Sequence, residues 1–132
     1  MTGSVIVLLI EDEPLILLAA ETVLQDGGYT CLTGTDGVGG MKLIMAHIEE
    51  ATALITDIRM DGPNGWELAR YAREVKPSIP VIYTTGDSGA DWPSEGVPKS
   101  IVLQKPYAAA QLLTAVSQLI NAATGDQLVS RS

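Results

Sequence analysis

The run Ala53 to Gly65, ALITDIRMDGPNG, decides how the rest of the chain must be arranged. Ala53, Leu54 and Ile55 are consecutive apolar residues, as in a strand covered on both faces, and Thr56 carries that strand to Asp57. Gly62, Pro63, Asn64 and Gly65 then break regular structure. Asp57 therefore stands where a buried strand opens into a loop. In an open α/β sheet the carboxyl ends of the strands are where ligands and chemistry gather, so the flanking sequence has to show what else arrives there.

Working outward, the pattern alternates strand and helix. Toward the N-terminus, Val5 to Ile10 is a fully apolar, β-branched-rich run that fits a central parallel strand, and it ends on Glu11, Asp12 and Glu13. Pro14 suits a first helical turn, Leu15 to Gln25 continues the helix, and Gly27 and Gly28 stop it. Tyr29 to Thr33 gives a second strand. Gly34 to Gly40 reads as flexible, and Met41 to Ile48 as a helix whose Met41, Leu43, Ile44, Met45 and Ile48 include a core stripe. Beyond the opening run, a third helix spans about Trp66 to Val75, with Trp66, Leu68, Ala69, Ala72 and Val75 on or near one face, and Lys76-Pro77 ends it. Pro80 to Thr84 is a fourth strand leading to Thr85. Gly86 to Lys99 is rich in Gly, Pro, Ser and Asp, leaving room only for a short helix around Trp92 to Gly96. Ser100 to Gln104 is a fifth strand, followed by Lys105-Pro106 and a last helix from about Ala108 to Ala122, with Leu112, Leu113, Val116, Leu119 and Ile120 at helical spacing. Residues 123–132 are mostly small and polar and read as a frayed, flexible tail. His47 is expected on the surface of the second helix, Cys31 as a small buried strand residue and Trp66 in the core, while Trp92 fits either an exposed contact or a hydrophobic plug.

Five strand-helix units in this order predict an α/β, doubly wound parallel sheet with right-handed crossovers. All its strand ends share one edge, so Glu11 and Asp12, Asp57, Thr85 and Lys105 should converge there. Three carboxylates held within several Å repel one another by about 3 to 4 kcal/mol per close pair at an effective dielectric near 20, and nothing in folding rewards that. A hard cation such as Mg2+ does, because it takes carboxylate, water and phosphate oxygens. A carboxylate is also a competent nucleophile toward phosphorus. A phosphoryl group in transfer needs a metal, a cation such as Lys105 and a hydroxyl such as Thr85 around its oxygens. Each residue alone has a plainer explanation. The acids before Pro14 complement a helix dipole, Asp57 makes a turn, Lys105 is a solvated lysine and Thr85 a strand-end residue. Only their joint placement at four strand ends favours phosphoryl transfer to Asp57.

Composition narrows the function further. The 132 residues fit one domain, large enough to bury about two-thirds of its unfolded surface. Eight basic residues against sixteen acidic ones give a net charge of -8 with no basic run, which argues against nucleic acid or an anionic membrane as partner. One cysteine and one histidine exclude an internal disulfide and leave a Cys/His zinc site or a His-dependent triad without its parts. No apolar run approaches the roughly 20 residues of a membrane span, and no basic segment precedes a signal core, so a cytoplasmic protein is expected.

The segments VLLIEDEP, LITDIRMDGPNGWELAR, PVIYTTG and QKPY together resemble the receiver domain of two-component response regulators over about residues 4–122. The resemblance implies a flavodoxin-like five-stranded sheet of order 2-1-3-4-5, a receiver domain at residues 1–122 with the tail at 123–132, and no output domain after residue 122. It implies that Asp57 accepts the phosphoryl group, with Asp12 and Asp57 as direct Mg2+ ligands, Glu11 as an acidic partner acting through water, and the backbone carbonyl of Arg59 as a further ligand. Thr85 is then the switch hydroxyl and Lys105 the cation on the phosphoryl group, its bond to Pro106 usually cis. The implied donor is a sensor histidine kinase or a histidine phosphotransfer protein, and the output is binding to a downstream protein or phosphate relay.

The chain departs from that pattern where the signal is read out. Receivers usually carry an aromatic residue three positions before the lysine, and here that position is Val102. Tyr83 stands two residues before Thr85 instead, and Gly86 follows Thr85, as in a subclass of stand-alone receivers with Phe-Ala-Thr-Gly there. Gly89, Pro93, Gly96 and Pro98 erode the fourth helix, which points to ordering of residues 86–99 as the response. Arg59 and Asp87 lie two residues beyond Asp57 and Thr85, and an ion pair between them across the opening is expected. Of the rival readings, a Mg2+-dependent phosphatase of haloacid dehalogenase type needs a second Asp where Arg59 stands. A flavodoxin-like mononucleotide binder needs a phosphate loop where this chain has acids. A receiver-like scaffold without phosphorylation would leave the filled acid, Thr and Lys positions unexplained.

Overall fold

The structure, a computed structural model, describes residues 5–87 and 89–131, with residues 124–131 as backbone. Five strands, β1 (Val5–Ile10), β2 (Tyr29–Gly34), β3 (Ala51–Asp57), β4 (Val81–Thr85) and β5 (Ser100–Gln104), form one parallel sheet of order β2-β1-β3-β4-β5. The helices are α1 (Pro14–Asp26), α2 (Gly37–His47), α3 (Gly65–Val75), the four-residue α4 (Trp92–Glu95) and α5 (Ala109–Arg131). This is the flavodoxin-like fold expected from the sequence.

Alternation along the buried strands divides the core in two. Leu8, Ile10, Leu54, Val81 and Tyr83 face Ile44, Leu68, Ala69 and Ala72 of α2 and α3. Val7, Leu9, Ala53, Ile55 and Ile82 face Ala20 and Leu24 of α1 and Leu112, Ala115 and Val116 of α5. The sheet is thereby covered on both sides, and its functional residues are left at the carboxyl edge.

Several boundaries differ from the sequence expectation for identifiable reasons. Residues 37–40 are not a flexible lead-in but the first turn of α2, because the Asp36 side chain caps the helix by accepting the Gly39 N–H at 2.7 Å. The glycine run that hid this turn serves close approach: a Cβ on Gly37 would fall 2.0 Å from the Pro63 carbonyl oxygen. At α3, Asn64 and Glu67 form a reciprocal capping box, setting the start at Gly65. Val75 and Met45, expected on or near core stripes, are exposed. The last helix continues through Arg131, past the end near Ala122 read from the sequence, while Ser132 lies outside the described residues. His47 is paired with Glu50 on the surface. Cys31 is only half-buried against the α1 and α5 side, where burial lifts its thiol to about 11. Trp66 is in the core, and Trp92 is a partly buried plug against it.

Candidate functional site

Three strand ends deliver the charged groups of the site. β1 runs directly into Glu11, which is 2% exposed, and Asp12, which is open to solvent. β3 ends on Asp57, 5% exposed, and β5 is followed by Lys105, whose side chain is 13% exposed. One oxygen each from Glu11, Asp12 and Asp57 lies within 4.8 Å of the others. The Lys105 Nζ sits 2.9 Å from Glu11 Oε1, 3.1 Å from Asp57 Oδ2 and 3.7 Å from Glu13 Oε1. A cluster of like charges is thus held together by one ammonium in a largely desolvated place.

The backbone fixes the orientation of these groups. Asp57 Oδ1 accepts the Ile58 N–H at 2.9 Å, and Glu11 Oε2 accepts the Glu13 N–H at 3.1 Å. The Thr56 hydroxyl donates to the Asp57 carbonyl at 2.8 Å. Gly65 allows α3 to begin directly above this turn, where a Cβ would fall 2.3 Å from the Asp57 carbonyl oxygen. The lysine is held from behind by its own N–H, which donates to the Thr85 carbonyl at 2.7 Å, and its bond to Pro106 is cis.

The electrostatic balance lies against ionisation of Asp57. Burial, then the Asp12 carboxyl beside it, then the charge of Glu11 raise its pKa to about 7, with Lys105 pulling the other way. Lys105 in turn is raised, since hydrogen bonds and charge from Glu11 and Asp57 outweigh its desolvation. Three oxygen donors so placed suit a hard divalent cation, whose charge would reverse the repulsion.

Of the residues singled out from sequence, Glu11, Asp12, Asp57 and Lys105 meet in one cluster. Thr85 ends the adjacent strand, buried, its Oγ1 accepting the Asp87 N–H at 3.2 Å, one residue beyond the Thr84 that pairs in register with Asp57. Arg59 is exposed, and its Nε lies 3.3 Å from Asp87 Oδ1, the ion pair expected across the opening. One contributor was missed. Glu13 also reaches Lys105, although its sequence position beside Pro14 reads as helix-start chemistry. Tyr83 is wholly buried, and its hydroxyl accepts the Val97 N–H at 3.0 Å. The sequence signal for Tyr83 was its position on β4, and only the fold reveals the bond.

Comparison with known proteins agrees with this geometry. The model of the response regulator receiver domain matches residues 7–117. A response regulator receiver protein from Sinorhizobium medicae WSM419 superposes with a TM-score of 0.87 at 40% identity, covering 92% of this chain and 98% of that one. A response regulator receiver domain protein from Clostridium thermocellum gives 0.81 at 27% identity, covering 91% and 97%. Among curated relatives, the sensor kinase CckA of Brucella abortus (strain 2308) is 30% identical over 91% of this chain, which spans 13% of that kinase. The chain belongs to the response regulator receiver domain family. Among the described residues, no helix is long and apolar enough to cross a membrane.

Proposed function

We propose that this chain is the phosphoacceptor of a two-component phosphorelay, taking a phosphoryl group from a histidine kinase or histidine phosphotransfer protein onto Asp57. The observation that carries the reading is the Lys105 Nζ bridging Glu11 and Asp57 inside a three-carboxylate cluster at the strand ends. In the transfer, a carboxylate oxygen of Asp57 bonds to phosphorus as the bond from phosphorus to the donor imidazole nitrogen breaks, the electron pair leaving with nitrogen. Lys105 neutralises one equatorial oxygen, and the Thr85 hydroxyl donates to another. Asp12, Asp57 and the Arg59 carbonyl would hold Mg2+, with Glu11 acting through water, and the metal would supply charge compensation to the transferring phosphoryl group.

On this reading the protein is a cytoplasmic signalling acceptor, and its only catalysis is its own phosphorylation and the hydrolysis of its acyl phosphate. Residues 1–122 form the receiver, with 123–132 as an appended tail. Output passes to a downstream protein, not to nucleic acid or membrane, which accords with the net charge of -8. The phosphatase reading is disfavoured because the residue two beyond Asp57 is Arg59, directed at Asp87. Incubation with Mg2+ and acetyl phosphate, followed by intact mass, tests the proposal. A single phosphoryl adduct is expected in the wild type and none in Asp57→Asn. Turnover without adduct would point to a phosphatase, and no reaction to a scaffold.

A further inference from the structure

Two hydroxyls on one face of β4 hold the two ends of the connection to β5. Tyr83 and Thr85 leave the strand on the same side, as residues two apart must. Thr85 Oγ1 accepts the N–H of Asp87 at the start of the connection, and the Tyr83 hydroxyl accepts the N–H of Val97 near its end. The tyrosine ring also lies between the helix that follows the Asp57 loop and the β4–β5 connection. It meets Trp66 edge-on, with centroids 4.6 Å apart at 60°, in the first turn of the helix that follows the Asp57 loop. In register it pairs with Val102, and both belong to the same apolar cluster. The aromatic residue missing from position 102 thus has a counterpart one strand over, buried and hydrogen-bonded rather than free to turn.

The contacts continue from Val97 into the short helix. Ser100 Oγ donates to the Val97 carbonyl at 2.6 Å, and the Trp92 indole N–H donates to Ser100 Oγ at 2.9 Å. Tyr83, Val97, Ser100 and Trp92 therefore form an unbroken path from β4 to α4.

We propose that Tyr83 couples the state of Asp57 to the position of α4. Its hydroxyl fixes the Val97 end of the connection while Thr85, drawn toward a phosphoryl group, displaces the Asp87 end. The displacement is taken up between them, in the turn Gly89–Asp91 and in α4, which becomes the surface that changes for a partner. The inference rests on the phosphoacceptor reading above.

The test is NMR on the full chain with Mg2+, before and after beryllofluoride, in wild type and Tyr83→Phe. The amides of Ile58 and Arg59 report the site; the Val97 amide and the Trp92 indole report the connection. In the wild type all four should shift. In Tyr83→Phe the site amides should respond as before, the Trp92 response should fall below about half, and the Val97 amide should exchange about tenfold faster before any ligand is added. Ser100→Ala, which cuts the next link, should blunt Trp92 while leaving the Val97 amide protected; this second variant carries the test if Tyr83→Phe folds poorly. A full Trp92 response in either variant, or a wild type in which only the site amides shift, overturns the coupling and leaves the phosphoacceptor reading standing. Silence of Ile58 and Arg59 in the wild type overturns both.

Discussion

The acidic pocket and the β4–β5 connection sit side by side at the same sheet edge, yet they are held in opposite ways. In the pocket, three carboxylates are gathered against their mutual repulsion, two of them on one lysine, and burial plus neighbouring charge lifts Asp57 to about 7. In the connection, the backbone has little regular structure of its own, and side chains from neighbouring elements satisfy it. Arg73 donates from its two terminal nitrogens to the carbonyls of Pro98 at 2.6 Å and Lys99 at 3.3 Å, and its Nε ties them to the lead-in to β4 by donating to the Ile79 carbonyl at 2.6 Å. Arg70 reaches the Glu95 carbonyl at 3.1 Å and its carboxylate. The pocket spends stability on chemistry, whereas the connection gains its stability from borrowed donors.

Removing the borrowed donors should break that contrast most visibly. Arg73→Ala leaves three carbonyls without a charged donor and is expected to lower stability by about 2 to 4 kcal/mol, given that bonds to charged groups are individually strong but not additive. Urea unfolding would measure it. A loss under about 1 kcal/mol would mean that water replaces the guanidinium and that the connection holds itself.

The pocket should respond in the other direction. Asp57→Asn is expected to stabilise the metal-free protein by about 1 to 3 kcal/mol at pH 8, since it removes a carboxylate whose ionisation the fold opposes. The sign follows from proton binding. The folded state keeps the Asp57 proton up to about pH 7, while the unfolded chain releases it near the ordinary 3.8. Wild-type stability therefore falls as pH rises through that window, and the advantage of the asparagine grows from near zero at its lower end to its full size above pH 7. Millimolar Mg2+ should shrink the gap by stabilising the wild type selectively, raising its melting temperature by several degrees. A gap independent of pH, or a variant less stable at pH 8, would show that Lys105 outweighs the repulsion.

The two regions also differ in how far they could be read from the chain alone. Buried parallel strands are written as apolar runs, and the acids and the lysine stand at the ends of those runs, so Val5–Ile10, Ala53–Asp57 and Ser100–Gln104 were enough to bring Glu11, Asp12, Asp57 and Lys105 to one sheet edge, where the structure clusters them. The start of α2 was hidden because its first residues are Gly37, Val38, Gly39 and Gly40, weak helix formers whose helical start is decided by the Asp36 cap, with Gly37 serving close approach to Pro63. The ties of Arg70, Arg73 and Tyr83 were illegible for a different reason. They bind backbone groups 6 to 26 residues away, and no local periodicity encodes a partner that only the tertiary fold brings near.

A smaller effect should sharpen the account of the connection. Lys99 adopts a positive φ of 56°, a conformation that side chains resist, and Arg73 binds its carbonyl there. Lys99→Gly is expected to raise stability by about 0.5 to 1 kcal/mol, because relief of the left-handed strain outweighs the added freedom of the unfolded chain. A loss would locate the value of Lys99 in its side chain and not in its backbone.

The smallest expected change in stability falls where pocket and connection touch. Arg59 and Asp87 pair at 3.3 Å with side chains 72% and 62% exposed, so solvent screens the bond, and Arg59→Ala should alter unfolding by no more than about 0.5 kcal/mol. Its position predicts a different readout. The pair spans the opening between the residues that follow Asp57 and Thr85, and on the phosphoacceptor reading a hydrolytic water would enter by that opening. Adduct loss followed by intact mass should therefore be faster in Arg59→Ala, with Asp87→Asn giving the same direction and the double variant no further increase, as expected for two residues acting through one contact. Additive accelerations would mean that each side chain acts on the phosphoryl group separately. An unchanged lifetime together with a stability loss above 1 kcal/mol would make the pair a tie of the same kind as Arg73.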